Sequence, residues 1–407
     1  MKKLIIAVAL SLAALLSGCV VKETRPLTKL EAVQAKVQIP EVELLDVALR
    51  HLDAGVPAEL IDDEEALDKK RIYPDVRVAE SRLLPMRLRT TLEASGQWGA
   101  VRVVPEAVQF VDVVVTGRII ESTGSRLELA ITAIDASGRV WIKDRTYASD
   151  ADLGSYKTDA SLRARDPFQN VYSQIANDLV TARDALTSAE KRELRHIAQL
   201  RFAQDLDPRS FEGYLQKSSD GRYRLTRLPA DNDPAVVRIA KIRERDAAVI
   251  DTLDGYTQEF SDKLFDPYGS FRRTSREAIE REDKARAQAM TRTALGAAAV
   301  LGSIFASSNC ASTDYNCRRI DSAVRTAGAV GGVAAVMSGI QKFSDAKVAA
   351  QEVKELASSF SSEAAVQTVE VEGRTLRLTG TAEEQYREWR RLLAAIYREE
   401  NLPAPNP

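Results

Sequence analysis

The stretch "DVVVTGRIIESTGSRLELAITAIDASGRVWIKDRTY", Asp112–Tyr147, decides the fold. Leu127, Leu129 and Ile131 alternate as the apolar face of a half-buried strand does. Thr123-Gly124-Ser125 and Ala136-Ser137-Gly138 are turn signals, so the stretch predicts three strands in succession. Upstream, "WGAVRVVP" (Trp98–Pro105) predicts another strand. "AESRLLPMRLRTTLEASG" (Ala79–Gly96) predicts a helix, with Leu84, Leu88 and Leu92 at helical spacing and Gly96 as its stop. Pro85 marks either a kink or a first turn. "VELLDVALRHL" (Val42–Leu52) predicts the first strand. Strand, helix, strand and three further strands make an α+β domain over residues 37–150.

Three pieces of this domain, Asp112–Gly117, Asp135–Trp141 and the helix Ala79–Gly96, resemble the TolB amino-terminal fold. They are also similar to the curli secretion lipoprotein and to the penicillin-binding-protein activator LpoB. The resemblance covers about 110 residues. It implies the fold, and it admits a regulator of cell-wall synthases among the functions, but it brings no catalytic residues.

Beyond a polar linker at 150–165 the period turns helical, predicting a helical domain over residues 166–284. Asp166 and Pro167 open a helix whose stripe is Phe168, Val171, Tyr172, Ile175 and Leu179. Thr187 and Glu190 fit a capping box for the next, with Leu194, Ile197 and Phe202 on its apolar side. After the connector at 218–233, Ile239, Ile242, Val249, Leu253, Tyr256 and Phe260 sit near heptad spacing, with Asp246 interrupting. That pattern predicts a helical hairpin or short coiled coil. The charges of Arg273–Arg292 predict a solvated helix. Residues 364–400 predict a β-hairpin turning at Glu372-Gly373, then a helix capped by Thr381 and Glu384 with Tyr386, Trp389, Leu393 and Ile396 on one face. "LRLTGTA" (Leu376–Ala382) resembles the BON module; a small α+β cap on the helical region is the other reading.

Residues 1–18 place Lys2 and Lys3 before a thirteen-residue apolar run, Leu4–Leu16, which is too short for a standard bilayer span. Leu16-Ser17-Gly18-Cys19 follows and resembles the bacterial lipobox. The resemblance implies cleavage before Cys19, acylation of its sulfur (palmitate among the chains) and of the new amino group, and a lipoprotein of the outer membrane, since Val20 rather than Asp follows. Several acyl chains on one residue anchor stably. Residues 19–36 then read as a flexible tether. In that oxidising compartment the two remaining cysteines, Cys310 and Cys317, are expected to form a disulfide.

Residues 285–360 are rich in Gly and Ala. Ala294, Ala298, Gly302 and Ala306 recur every fourth residue, as do Ala327, Gly331, Ala335 and Gly339. Each set makes a smooth helical stripe that lets two backbones approach, so the segment predicts an antiparallel helical hairpin. Its other side has three possible neighbours: the protein's own helices, a second copy, or the outer membrane.

The chemistry of catalysis is thinly represented. The chain of 407 residues has two histidines, His51 and His196, and no G-x-S-x-G, H-E-x-x-H or P-loop. Ser344-Asp345-Ala346-Lys347 matches S-x-x-K without its partner motifs, and the acidic run Asp62–Glu65 reads as a solvated loop. No catalytic, cofactor-binding or metal-ligating set is expected. The net charge of −2 falls to about −4 once Lys2 and Lys3 are removed, which excludes a nucleic-acid partner. The sequence therefore points to a non-enzymatic, periplasm-facing lipoprotein that binds an envelope protein. The alternatives are a membrane-inserting or pore-associated protein, the synthase regulator above and, as the enzyme option, a cell-wall hydrolase.

Overall fold

A computed structural model describes residues 27–230, 232–307, 367–371, 374–378 and 381–400. The fold is α+β, built on a five-stranded mixed sheet in the order β2-β1-β3-β4-β5. The strands are β1 (Val47–Arg50), β2 (Val101–Val104), β3 (Val113–Ser122), β4 (Arg126–Asp135) and β5 (Val140–Asp150). β1 runs parallel to both β2 and β3, and β3, β4 and β5 form the antiparallel meander that the alternation in 112–147 predicts. The first strand is shorter than Val42–Leu52. Glu41–Glu43 form a single 3-10 turn, and the Asp46 carboxylate accepts the Ala100 N–H at 2.8 Å where a longer strand would pass.

A short helix α1 (Glu64–Lys69) and the long α2 (Pro74–Ala94) connect β1 to β2. α2 begins five residues before Ala79, with Pro74 in its first turn, and stops where Gly96 takes φ +64°. Pro85 lies inside it. Proline has no N–H, so the carbonyl of Ser81 is released, and it accepts the Leu52 N–H at 2.8 Å. The helix is thereby tied to the end of β1.

Residues 105–112 return the chain from β2 to β3 in eight residues, short for a parallel connection. They cross the face of β1, where Val108, Phe110 and Val111 pack with Ala48 and Val104. The opposite face, carrying Val47, Val113, Leu127 and Leu129, is covered by α2 and by α4 (Gln169–Asp184). The predicted α4 stripe of Phe168, Val171, Tyr172, Ile175 and Leu179 is fully buried there. One core therefore crosses the boundary expected between 150 and 166. The linker expected at 150–165 instead carries α3 (Asp159–Ala164) and buries Tyr156, whose hydroxyl donates to Gly124 O at 3.0 Å. α4 starts three residues after Asp166, whose carboxylate accepts the Phe168 N–H at 2.8 Å. The capping box of Thr187 and Glu190 opens α5 (Ser188–Leu206). The connector after it holds a small hairpin, β6 (Leu215–Lys217) with β7 (Tyr223–Leu225).

Residues expected to form a hairpin or coiled coil belong to one helix, α6 (Pro234–Ser307), of 74 residues. Its seam is filled by the rest of the fold rather than by a second strand of helix. Ile239, Ile242, Val249 and Leu253 meet the crossover, α5 and the C-terminal helix, while Phe260, Leu264 and Phe271 meet Val76, Ala79 and Leu83 of α2. The first half of Arg273–Arg292 is not solvated all round: Ser275, Ala278 and Ile279 are buried. Arg272 is buried between the rings of Phe168 (4.7 Å) and Tyr268 (4.3 Å), and Glu80 accepts hydrogen bonds from Tyr268 and Ser122, each at 2.6 Å. Gly124 in the β3–β4 turn touches the helix so closely that a Cβ there would lie 2.1 Å from Arg272 O. In the C-terminal part β8 (Gln367–Val371) pairs with β9 (Arg374–Leu378), and the capping box of Thr381 and Glu384 opens α7 (Ala382–Glu400); the turn expected at Glu372-Gly373 lies outside the described residues.

Candidate functional site

Asp246 sits where the apolar seam of α6 is interrupted, and that interruption is a socket. Its Oδ1 accepts the indole N–H of Trp389 at 3.0 Å and its Oδ2 accepts the hydroxyl of Tyr386 at 3.2 Å. Buried tryptophan and tyrosine both need a partner for their polar tips, and one carboxylate supplies it to both. Burial raises the Asp246 pKa; the Arg390 guanidinium and the two donors oppose the rise. Arg390 lies over the rings of Phe110 (5.4 Å) and Phe202 (4.7 Å) and pairs with Asp205. Farther along α7, the Tyr397 hydroxyl donates to Asp207 at 3.0 Å.

Beside this socket is a cavity of about 80 Å³, lined by Asp46, Arg102, Phe110, Arg243, Asp246 and Tyr386 among others. That is room for two or three waters at ~30 Å³ each, far below the ~300 Å³ and more of pockets that take organic ligands. Arg243 lies at its wall. Burial lowers the Arg243 pKa, against the nearby charges of Asp112, Asp46 and Asp246, and its Nη1 has no hydrogen-bond partner among the described residues. Burial pushes Asp112 up to about 6, although it accepts the Asp46 N–H at 2.9 Å. This is the chemistry of a charged packing junction.

A second built site holds the chain's own N-terminal segment. The tether expected to be free through residue 36 is docked from Thr28 onward. Asn170 donates to Thr28 O (2.8 Å) and accepts the Leu30 N–H (2.9 Å), and Asn177 donates to Glu31 O (3.1 Å) and accepts the Val33 N–H (2.7 Å). Arg165 adds a bond to Leu30 O at 3.2 Å, and the Ala35 N–H reaches Ser95 O at 2.8 Å. Two side chains seven positions apart on α4 thus hold four backbone groups of an extended strap. Each amide satisfies one N–H and one C=O, so the grip does not depend on the strap's side chains.

The residues singled out from sequence fall in different places. Cys19, Cys310 and Cys317 lie outside the described residues, as do Ala327, Gly331, Ala335, Gly339 and the Ser344–Lys347 motif. Ala294, Ala298, Gly302 and Ala306 all lie on α6. The acidic run Asp62–Glu65 is a helix start: Asp63 caps α1, accepting the Ala66 N–H at 2.9 Å. His51, at the end of β1, is lowered to about 4 by burial and, secondarily, by the charge of Arg82. Sequence reasoning missed the strap clamp and the Asp246 socket. The break in the α6 seam, set against an unpartnered Trp and Tyr on the last helix, was the available signal for the latter. Among the described residues no group of His, Cys, Asp and Glu is arranged to hold a metal, and no helix is long and apolar enough to cross a membrane. No protein-family model, no curated protein and no solved structure matches this chain.

Proposed function

We propose that the protein is a non-enzymatic outer-membrane lipoprotein, facing the periplasm, that holds a protein partner of the cell envelope. The carrying observation is the apolar run closed by Leu16-Ser17-Gly18-Cys19. Support comes from the strap: only seven residues separate Cys19 from the described chain at Leu27, so an anchored fold stands close to its membrane. The partner's place is the open face of the meander. There Ile134 and Val140 pair across β4 and β5 and remain 38% and 46% exposed. Metabolic palmitate labelling of the parent and of Cys19→Ala tests the anchor: label on both, or on neither, refutes it. A photoreactive residue in place of Val140 in intact cells tests the partner: no adduct with any envelope protein refutes that part.

A further inference from the structure

Two features leave the fold at one end. The strap enters at the N-terminal end of α4, where Arg165 and Asn170 hold Thr28 and Leu30. Between those two residues lie Asp166 and Phe168, which receive Arg272 of α6: the guanidinium Nη1 is 3.5 Å from each Asp166 oxygen and the group stacks 4.7 Å from the Phe168 ring. One turn on, Arg276 covers the ring of Tyr156 at 5.6 Å, and α6 then runs on to Ser307. The strap leading back toward Cys19 and the long helix are therefore held by the same six-residue stretch, Arg165–Asn170.

The reach of the first is sufficient for the second. Eight residues from Cys19 to Leu27 span at most ~27 Å when extended. Eighteen residues of α6 from Arg276 to Ala294 rise ~27 Å. At that distance the helix changes character. Residues 284–293 carry Lys284, Arg286 and Arg292 with no acidic residue, and Ala294–Ser307 carry no Asp, Glu, Lys or Arg at all. A cationic segment followed by an uncharged one is the order in which a helix meets anionic headgroups and then hydrocarbon. Fourteen helical residues rise ~21 Å, enough to enter a leaflet and short of the ~30 Å core.

We propose that Ala294–Ser307, the end of α6, enters the near leaflet of the membrane that holds the Cys19 anchor, giving the protein two lipid contacts at one end. This rests on the lipoprotein reading above. The test uses the full-length lipidated protein, purified and reconstituted into phosphatidylethanolamine–phosphatidylglycerol vesicles, with photoreactive benzoyl-phenylalanine in place of Leu301. A second preparation carries it in place of exposed Glu59. Adducts are identified by mass, and palmitate on Cys19 is measured in the same samples. Lipid adducts at 301 several-fold above those at 59 are expected. Palmitate present with an intramolecular, copy-to-copy or absent adduct at 301 overturns the inference alone. Absence of palmitate overturns the anchor and the inference together.

Discussion

Asp112, which is buried, and His51, which is half-buried, are titratable groups whose effects on stability oppose each other, and separating them is a quantitative test of the fold. The Asp112 carboxyl is held at about 6 against an ordinary value of 3.8. A folded-state value above the unfolded one gives stabilisation that is complete below 3.8 and is lost as pH rises to about 6. At 1.36 kcal/mol per pH unit, that loss is about 3 kcal/mol. His51 is held at about 4 against 6.5. Here the unfolded chain takes up the proton first, so stability falls as pH drops from 6.5 to about 4, again by about 3 kcal/mol. In the parent protein the two slopes occupy the same pH window with opposite sign and nearly cancel. Asp112→Asn keeps an oxygen to accept the Asp46 N–H and removes the titration. Relative to the parent, its stability should rise by about 3 kcal/mol between pH 4 and 6.5. His51→Gln should fall by a similar amount over the same interval, and the double variant should track the parent. Equilibrium urea denaturation of the Cys19→Ala mature chain, followed by tryptophan emission at several pH values, reads these differences. A parent-to-variant difference that stays constant with pH for either single variant would refute the burial argument.

Other perturbations address the contacts between elements. Asp246→Ala leaves the Trp389 indole and Tyr386 hydroxyl buried without an acceptor, at about 1–3 kcal/mol for each group. α7 should loosen, raising acrylamide quenching of Trp389 in a Trp98→Phe, Trp141→Phe background; Asp246→Asn should retain much of the docking. Asn170→Ala with Asn177→Ala removes all four amide bonds to the strap, so deuterium exchange at the Leu30 and Val33 amides should accelerate at least tenfold, corresponding to about 1.4 kcal/mol or more of lost protection. Unchanged exchange would mean the strap is held by something else. Gly124→Ala forces a methyl into the α6 backbone, and thermal unfolding should show a loss of at least 1–3 kcal/mol, the usual range for overpacking.

Local signals carried much of the fold. The capping boxes at Thr187–Glu190 and Thr381–Glu384 were legible because each is complete within four residues, and the α4 stripe because its five positions repeat the helical period. The meander was legible because alternation and turn residues agree across Asp112–Tyr147. What was not legible depends on distant partners. Asp246 and the charges beyond Arg272 made α6 look like two elements, since the Trp389 and Glu80–Tyr268 contacts that satisfy it come from 143 residues later and 188 residues earlier. The strap left little trace because most of its bonds are made by its backbone, the Glu31–Arg165 pair excepted; the information lies in Asn170 and Asn177, which in isolation are ordinary polar residues on a helix. Nothing local in residues 105–112 says that they cross β1.

The strap and the last helix share one further property. Leu30 is held by a residue 140 positions downstream, and Arg390 pairs with one 185 positions upstream. Both segments are thus seated against the interior of the sequence. A product truncated before residue 381 would leave the apolar bed beneath Trp389 uncovered.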